Sequence, residues 1–197
     1  MMRALLPLLL ALTGCATSPV SNPNLIQPLT QIEYEMLINK HTRRTNQYSG
    51  FYQTFQADMT ILNTEVLTAT LRQRGHFLQW DQRQYQAERD KVMQEASAYS
   101  RFFMRFYSPE NDYDDLHKGK TIWRVYLEAQ GSRFEGKVKK ITDKFVEVQN
   151  VYPHMDRFSS PYEITFSVPM TTVENQAAKV ILTSSLGTAE FQFPGVK

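Results

Sequence analysis

Apolar residues recur at helical spacing through the first half of the chain and alternate with polar ones through the second. The first helical signal is Thr30-Gln31-Ile32-Glu33, a capping box in which hydroxyl and carboxylate satisfy free N–H groups reciprocally. Ile32, Met36 and Leu37 follow as an apolar stripe and predict a helix over 31–45. Phe51, Phe55, Met59, Leu62, Val66 and Ala69 then recur at steps of three and four, one face of a second helix. The same stretch also alternates, at Ala57, Met59, Ile61 and at Leu67, Ala69, Leu71, and its threonines favour strand. The longer series predicts helix, with Gly75 as a kink point, and strands over 50–80 stay open as the second reading. Residues 80–99 are helix-forming throughout, with Tyr85, Ala96 and Tyr99 on the buried face.

From about residue 101 the texture changes to short apolar runs bounded by turn residues. Strands are expected at 102–107, 121–129, 134–141, 145–151, 162–168, 179–184 and 188–193. Gly131-Ser132, Thr142-Asp143, Ser159-Ser160-Pro161 and Leu186-Gly187 separate them. The expected fold class is α+β. A helical hairpin or three-helix unit over 30–100 packs on an antiparallel β-sandwich over 101–197, immunoglobulin-like in size, with Trp123 in its core.

The first fifteen residues follow a different rule. Arg3 precedes a nine-residue apolar run, Ala4 to Leu12, which is far short of the roughly 20 residues that span a bilayer. With small residues after it, the run reads as a secretory signal over 1–14. Leu12, Thr13, Gly14 and Cys15 resemble the lipobox of bacterial lipoproteins. That resemblance implies cleavage before Cys15, diacylglyceryl on its thiol and an acyl chain (such as palmitate) on the new amine. Ala16 stands where an Asp would mark inner-membrane retention, so the resemblance implies a lipid-anchored protein of the outer membrane; a periplasmic orientation is expected, with a surface-exposed one left open. Residues 15–29 would then be the lipidated Cys and a flexible tether, since Pro19, Pro23 and Pro28 block helix. Fourteen residues, 16–29, reach roughly 46–50 Å when fully extended. Two or three chains hold a protein on a bilayer where a single one binds only marginally, so no large membrane-docking face is required of the folded part.

Composition narrows the chemistry. With 42% hydrophobic and 21% charged residues the chain is of ordinary globular make-up, and its formal net charge of +2 gives no reason to expect a nucleic-acid partner. Cys15 is the single cysteine, which excludes a disulfide framework, a Cys-ligated zinc site and, once it is lipidated, a thiol nucleophile. Residues 110–115 hold the densest acidic cluster, where Asp112, Asp114 and Asp115 are candidate ligands for a hard cation such as Ca²⁺, although the spacing does not fit an EF-hand. Beyond it the sign flips: residues 116–144 carry eight basic side chains against three acids. Lys118, Lys120, Lys137, Lys139 and Lys140 are therefore the candidate basic face for an acidic or phosphate-bearing partner, against the simpler reading of Lys as edge protection.

His41, His76, His117 and His154 show no metal-ligand spacing, and no Gly-x-Ser-x-Gly, His-Glu-x-x-His or phosphate-loop motif occurs. Aromatics concentrate at Tyr48, Phe51, Tyr52 and Phe55 and again at 102–107, as an interdomain core or a groove for an acyl chain or peptide. Three functions follow as expectations. The first is a non-enzymatic periplasmic-side adaptor or assembly factor binding a protein partner. The second is a lipid or lipoprotein carrier; with strands over 50–80 the chain would look more like the outer-membrane lipoprotein-receptor family, whose curved sheet wraps an apolar cavity. The third is a divalent-cation-dependent binding module. None calls for a cofactor beyond the acyl chains on Cys15 and, in the third, Ca²⁺.

Overall fold

The structure, a computed structural model, describes residues 26–195. The expectations for the signal segment, for Leu12 to Cys15 and for most of the tether lie outside the described residues. At the near end of the tether, Ile26 is buried and Arg72 donates to the Gln27 carbonyl, so the last tether residues lie against the fold.

Helix α1 (Gln31–Lys40) starts at the capping box, with the Glu33 N–H donating to the Thr30 hydroxyl and the Thr30 N–H to Glu33. It ends five residues before the expected 45, because the chain turns at His41 into strand β1 (Thr42–Ser49). Strand β2 (Tyr52–Ile61) returns antiparallel to it. This hairpin corrects the helix expected over 51–74. Alternation prevails because Phe55, Ala57, Met59 and Ile61 all face one buried side. The helix that does form, α2 (Thr64–Phe77), begins only after Asn63, whose side chain caps it by accepting from the Val66 N–H. Helix α3 (Gln82–Ala98) follows with its own capping box at Asp81 and Gln84.

Strand β3 (Ser100–Tyr107) lies where expected. The expected strand over 134–141 is broken at Gly136. Strand β4 (Arg124–Ala129) and β5 (Ser132–Glu135) pair in one sheet, while β6 (Lys137–Lys140) crosses to the other. A Cβ at Gly136 would stand 2.8 Å from Phe166 Cε1 and 3.0 Å from Ile164 Cγ2, so the corner needs glycine for space. Residues 145–151 form helix α4 (Phe145–Val151) and not a strand, burying Val148 and Val151 at a step of three. Strand β7 (Ser160–Phe166), the short helix α5 (Met170–Glu174), β8 (Ala178–Ser184) and β9 (Gly187–Phe193) complete the chain.

The described residues are thus mixed α+β, with two antiparallel sheets ordered β1-β2-β3-β7-β6 and β5-β4-β8-β9. Register places Met59, Met104 and Tyr162 in one row and Ile61, Phe102 and Ile164 in the next. In the other sheet Leu127, Val180 and Phe191 share a row. Aromatic contacts join the two sheets: Trp123 meets Phe55 at 5.0 Å and Phe106 at 5.1 Å, both edge-on, and Phe102 meets Phe193 at 5.4 Å. The sheets also join along their margins. One margin is the Gly136 corner; at another, Arg43 on β1 donates to the Gln192 carbonyl on β9 (2.9 Å). Helices cover part of the opposite side of the larger sheet, where the Tyr34 hydroxyl of α1 donates to the Val151 carbonyl at 2.6 Å.

Candidate functional site

A groove of about 520 Å³ opens where the C-terminal turn of α2, strand β6, helix α4 and β7 converge. Its size falls within the roughly 300–1,000 Å³ of ligand pockets. The floor is apolar: Ile141, Val148, Val151 and the ring of Tyr152. Phe77 and Leu78 project at the end of α2, where the chain leaves the helix through Gln79 at φ +54°. The rim is charged in both signs, with Arg74 and Lys139 against Asp143, Glu147 and Glu163.

Two features fix the floor. Tyr152 stacks on Phe103 of β3 with centroids 3.6 Å apart and planes 7° from parallel. Burial pushes its phenol up to about 12, so at neutral pH it is uncharged. Glu163 stands across from Phe103 on one side and Lys139 on the other, with an Arg101 nitrogen 4.0 Å away. Alternation along β6 places Lys137 and Lys139 on the groove side of the sheet and turns Lys140 to the other face.

A row of charges, buried at Asp58 and Arg105 and partly exposed at Arg44 and Asp156, crosses the same side of the sheet. Asp58 on β2 lies 3.4 Å from Arg44 on β1 and 3.3 Å from Arg105 on β3, and Arg105 Nε donates to Asp156 at 2.8 Å. Burial raises the Asp58 pKa, against the opposing pull of Arg105 and Arg44. At Asp156 burial also acts upward, but hydrogen bonds from Arg105 and the Phe158 N–H, with the Arg105 charge, bring it below the usual carboxylate range. His154 sits beside the row, edge-on to Phe103 at 5.6 Å, with neither ring nitrogen hydrogen-bonded. Burial, then the charges of Arg44 and Arg105, push it down to about 4. The row ties β1, β2 and β3 to the loop after α4, and so holds the groove floor in place.

The residues singled out from sequence are dispersed. Asp112 lies in a 3-10 turn, Asn111–Tyr113. Asp114 accepts from Lys140 (2.9 Å), the Ser160 hydroxyl (2.5 Å) and the Tyr162 hydroxyl (2.8 Å), and Asp115 from Thr121 (2.7 Å). These oxygens tie the acidic loop to β6 and β7. Among the described residues no three His, Cys, Asp or Glu side chains stand together in a way that would hold a metal ion. Lys118 and Lys120 are exposed in the loop before β4, and with Lys140 paired to Asp114 the five lysines do not share one face. The histidines are likewise apart: His41 bonds Glu65 at 2.7 Å, lowering that carboxyl's pKa, while His117 lies over Tyr162.

The aromatic cluster divides. Phe55 and the phenylalanines of β3 are core, whereas Tyr48, Phe51 and Tyr52 are exposed at the hairpin tip. Sequence reading missed the groove, because Arg74, Lys139, Tyr152 and Glu163 belong to four elements. The one local signal was Phe77-Leu78 past the last charged turn of a helix, an apolar pair with no core position to fill. No family model, curated protein or solved structure matches this chain.

Proposed function

We propose that the chain is a lipid-anchored bacterial lipoprotein of the outer membrane, acting on the periplasmic side as a non-enzymatic adaptor or assembly factor that binds a protein partner. We read its architecture as a β-sandwich, immunoglobulin-like in size, with the helices packed against it. The observation that carries the partner reading is the groove between α2, α4 and β6. Its floor is apolar and its rim holds two cations and three anions, which suits a peptide segment with side chains of both signs. An acyl chain offers nothing for such a rim to bind. A carrier would need a void of lipid size between the sheets, yet that space is occupied by Phe55, Phe102, Phe106 and Trp123 in mutual or cross-sheet contact. The anchor reading rests on Leu12 to Cys15 and is tested separately, by the mass of the Cys15 peptide from membranes and its loss with Cys15→Ser.

A photo-crosslinking residue at Leu78, used in living cells, tests the groove. A discrete protein adduct that disappears with Arg74→Glu/Lys139→Glu supports the adaptor. Co-purified acyl chains in place of a protein adduct would overturn it in favour of the carrier. The cation-dependent module predicts a Ca²⁺-induced thermal shift that is abolished by Asp112→Asn/Asp114→Asn/Asp115→Asn.

A further inference from the structure

The β1–β2 hairpin ends in three large aromatic side chains that lie mostly in solvent: Tyr48, Phe51 and Tyr52 are 58%, 103% and 82% exposed. They surround a two-residue turn, Gly50-Phe51, in which Gly50 takes φ +61°. That turn requires only its glycine; a polar residue would serve at every other tip position. On β2, pairing with β3 extends only as far as Gln56; beyond it Phe55 packs on Phe106 and Trp123 and the Thr54 carbonyl accepts from the Ser108 hydroxyl, so the free tip is Tyr48 to Gln53. The finger passes its last pair with β3 by about 13 Å, at about 3.3 Å per residue. A register shift at Gln47/Tyr48 bends it near its end.

Charge is what sets the finger apart from the rest of the surface. The thirteen residues from Thr45 to Ala57 contain no Lys, Arg, Asp, Glu or His, and the charges that flank them in the chain, Arg44 and Asp58, are paired with one another. Phenylalanine occupies the apex and tyrosines flank it. That order suits a water–lipid boundary, where an apolar ring enters the acyl region and phenols stay at headgroup level. A finger without charge crosses the headgroup layer without desolvating an ion.

We propose that this hairpin tip is a membrane-contact site that seats in the electrically neutral interfacial layer of the bilayer holding the lipid anchor. The inference rests on the lipid-anchored reading. Between Cys15 and Ile26 lie ten residues, an extended reach of about 33–36 Å, so in this reading the finger stays within that reach plus the dimensions of the folded part. Contact is then intramolecular, and an affinity that recruits only part of a free protein suffices to orient an anchored one. The lipid retains the molecule; the finger decides which side of it faces the periplasm.

The test uses the mature lipidated protein in phosphatidylcholine vesicles. In a Phe51→Trp variant the added emission is expected to be quenched by at least half by brominated phosphatidylcholine, while Trp80 and Trp123 emission of the parent barely changes. Added emission that stays unquenched and fully water-exposed overturns the proposal. The unlipidated chain from residue 16, independent of the anchor, is expected to sediment with the same vesicles at least about fivefold more than its Tyr48→Ser/Phe51→Ser/Tyr52→Ser variant. That difference persists from about 0.05 to 0.5 M salt, because no charge takes part. Binding lost at high salt, or unaffected by the three serines, assigns it to the lysines and overturns the finger. A benzoylphenylalanine at position 51 that captures protein rather than phospholipid in cells overturns it too. If Cys15 carries no lipid, the anchor reading fails, yet the sedimentation difference still decides the finger.

Discussion

At the scale of single residues the buried charges across β2 and β3 dominate. Asp58 is enclosed by two guanidiniums, and removing one member of a buried pair leaves the others uncompensated, at a cost of about 3–5 kcal/mol. Asp58→Ala is expected to lower unfolding free energy by about 3 kcal/mol, read from the urea midpoint at unchanged m-value. A loss under about 1 kcal/mol would mean that Asp156 alone satisfies Arg105. His154 gives a pH signature. Its folded pKa, about 4, lies below the ordinary 6.5, so between those values the unfolded chain binds the extra proton. The stability in question is fully present above pH 6.5 and is lost as pH falls towards 4, by about 3 kcal/mol in all. Asp58, with its raised pKa, works in the opposite sense at the acid end, and Asp156 works with His154. A His154→Phe variant isolates the imidazole: its stability curve should be flatter across that window, and a parallel curve would refute the assignment.

At the scale of elements, caps and corners decide where secondary structure begins and ends. Asn63 is buried, accepts from the Val66 N–H at 2.9 Å and lies 3.3 Å from His41 through its amide. Asn63→Ala should cost about 1–2 kcal/mol by thermal or urea unfolding, whereas Asn63→Asp should keep the cap. At Gly136 the added methyl of Ala meets Phe166 and Ile164, so Gly136→Ala is expected to cost about 1–3 kcal/mol. No loss there would mean that β5 and β6 can part without strain.

These same positions explain what was legible. The Thr30–Glu33 box and the uninterrupted helix formers of 82–98 could be read, because their determinants lie within one turn of each other. The 51–74 stretch could not: Phe51, Phe55, Met59 and Leu62 fit a helix face while Phe55, Ala57, Met59 and Ile61 fit a strand face. Packing against Phe102, Met104 and Phe106, far along the chain, made the choice. Asn63 was a local clue to that boundary that the apolar count passed over. In 145–151 both periods again share residues, and the contact of Tyr34 with Val151 favours the helix from 117 residues away.

At the scale of the whole molecule, one hydrophobic cluster runs from Tyr34 on α1 through β3 and Trp123 to Phe193 on β9. Both halves of the chain contribute to it, so helices and sheets should unfold together. In a Trp80→Phe background, emission from the buried Trp123 and far-UV circular dichroism should report the same transition. Two separated transitions would show that the helical layer melts by itself. At this scale the sequence displayed the mixture of helix and strand but not the assignment of strands to sheets. Gly136, where one expected strand divides between two sheets, is only one glycine among eight in the chain.

The burial of Ile26 has a mechanical consequence. Its side chain lies against Gly75, one residue from Arg74 and two from Phe77, in the last turns of α2. Tension on a membrane-attached N-terminus is therefore delivered first to the helical turn that walls the groove, before any strand carries load. In the lipid-anchored reading, whatever occupies that groove shares a force path with the anchor, and the grip on the one is felt by the other.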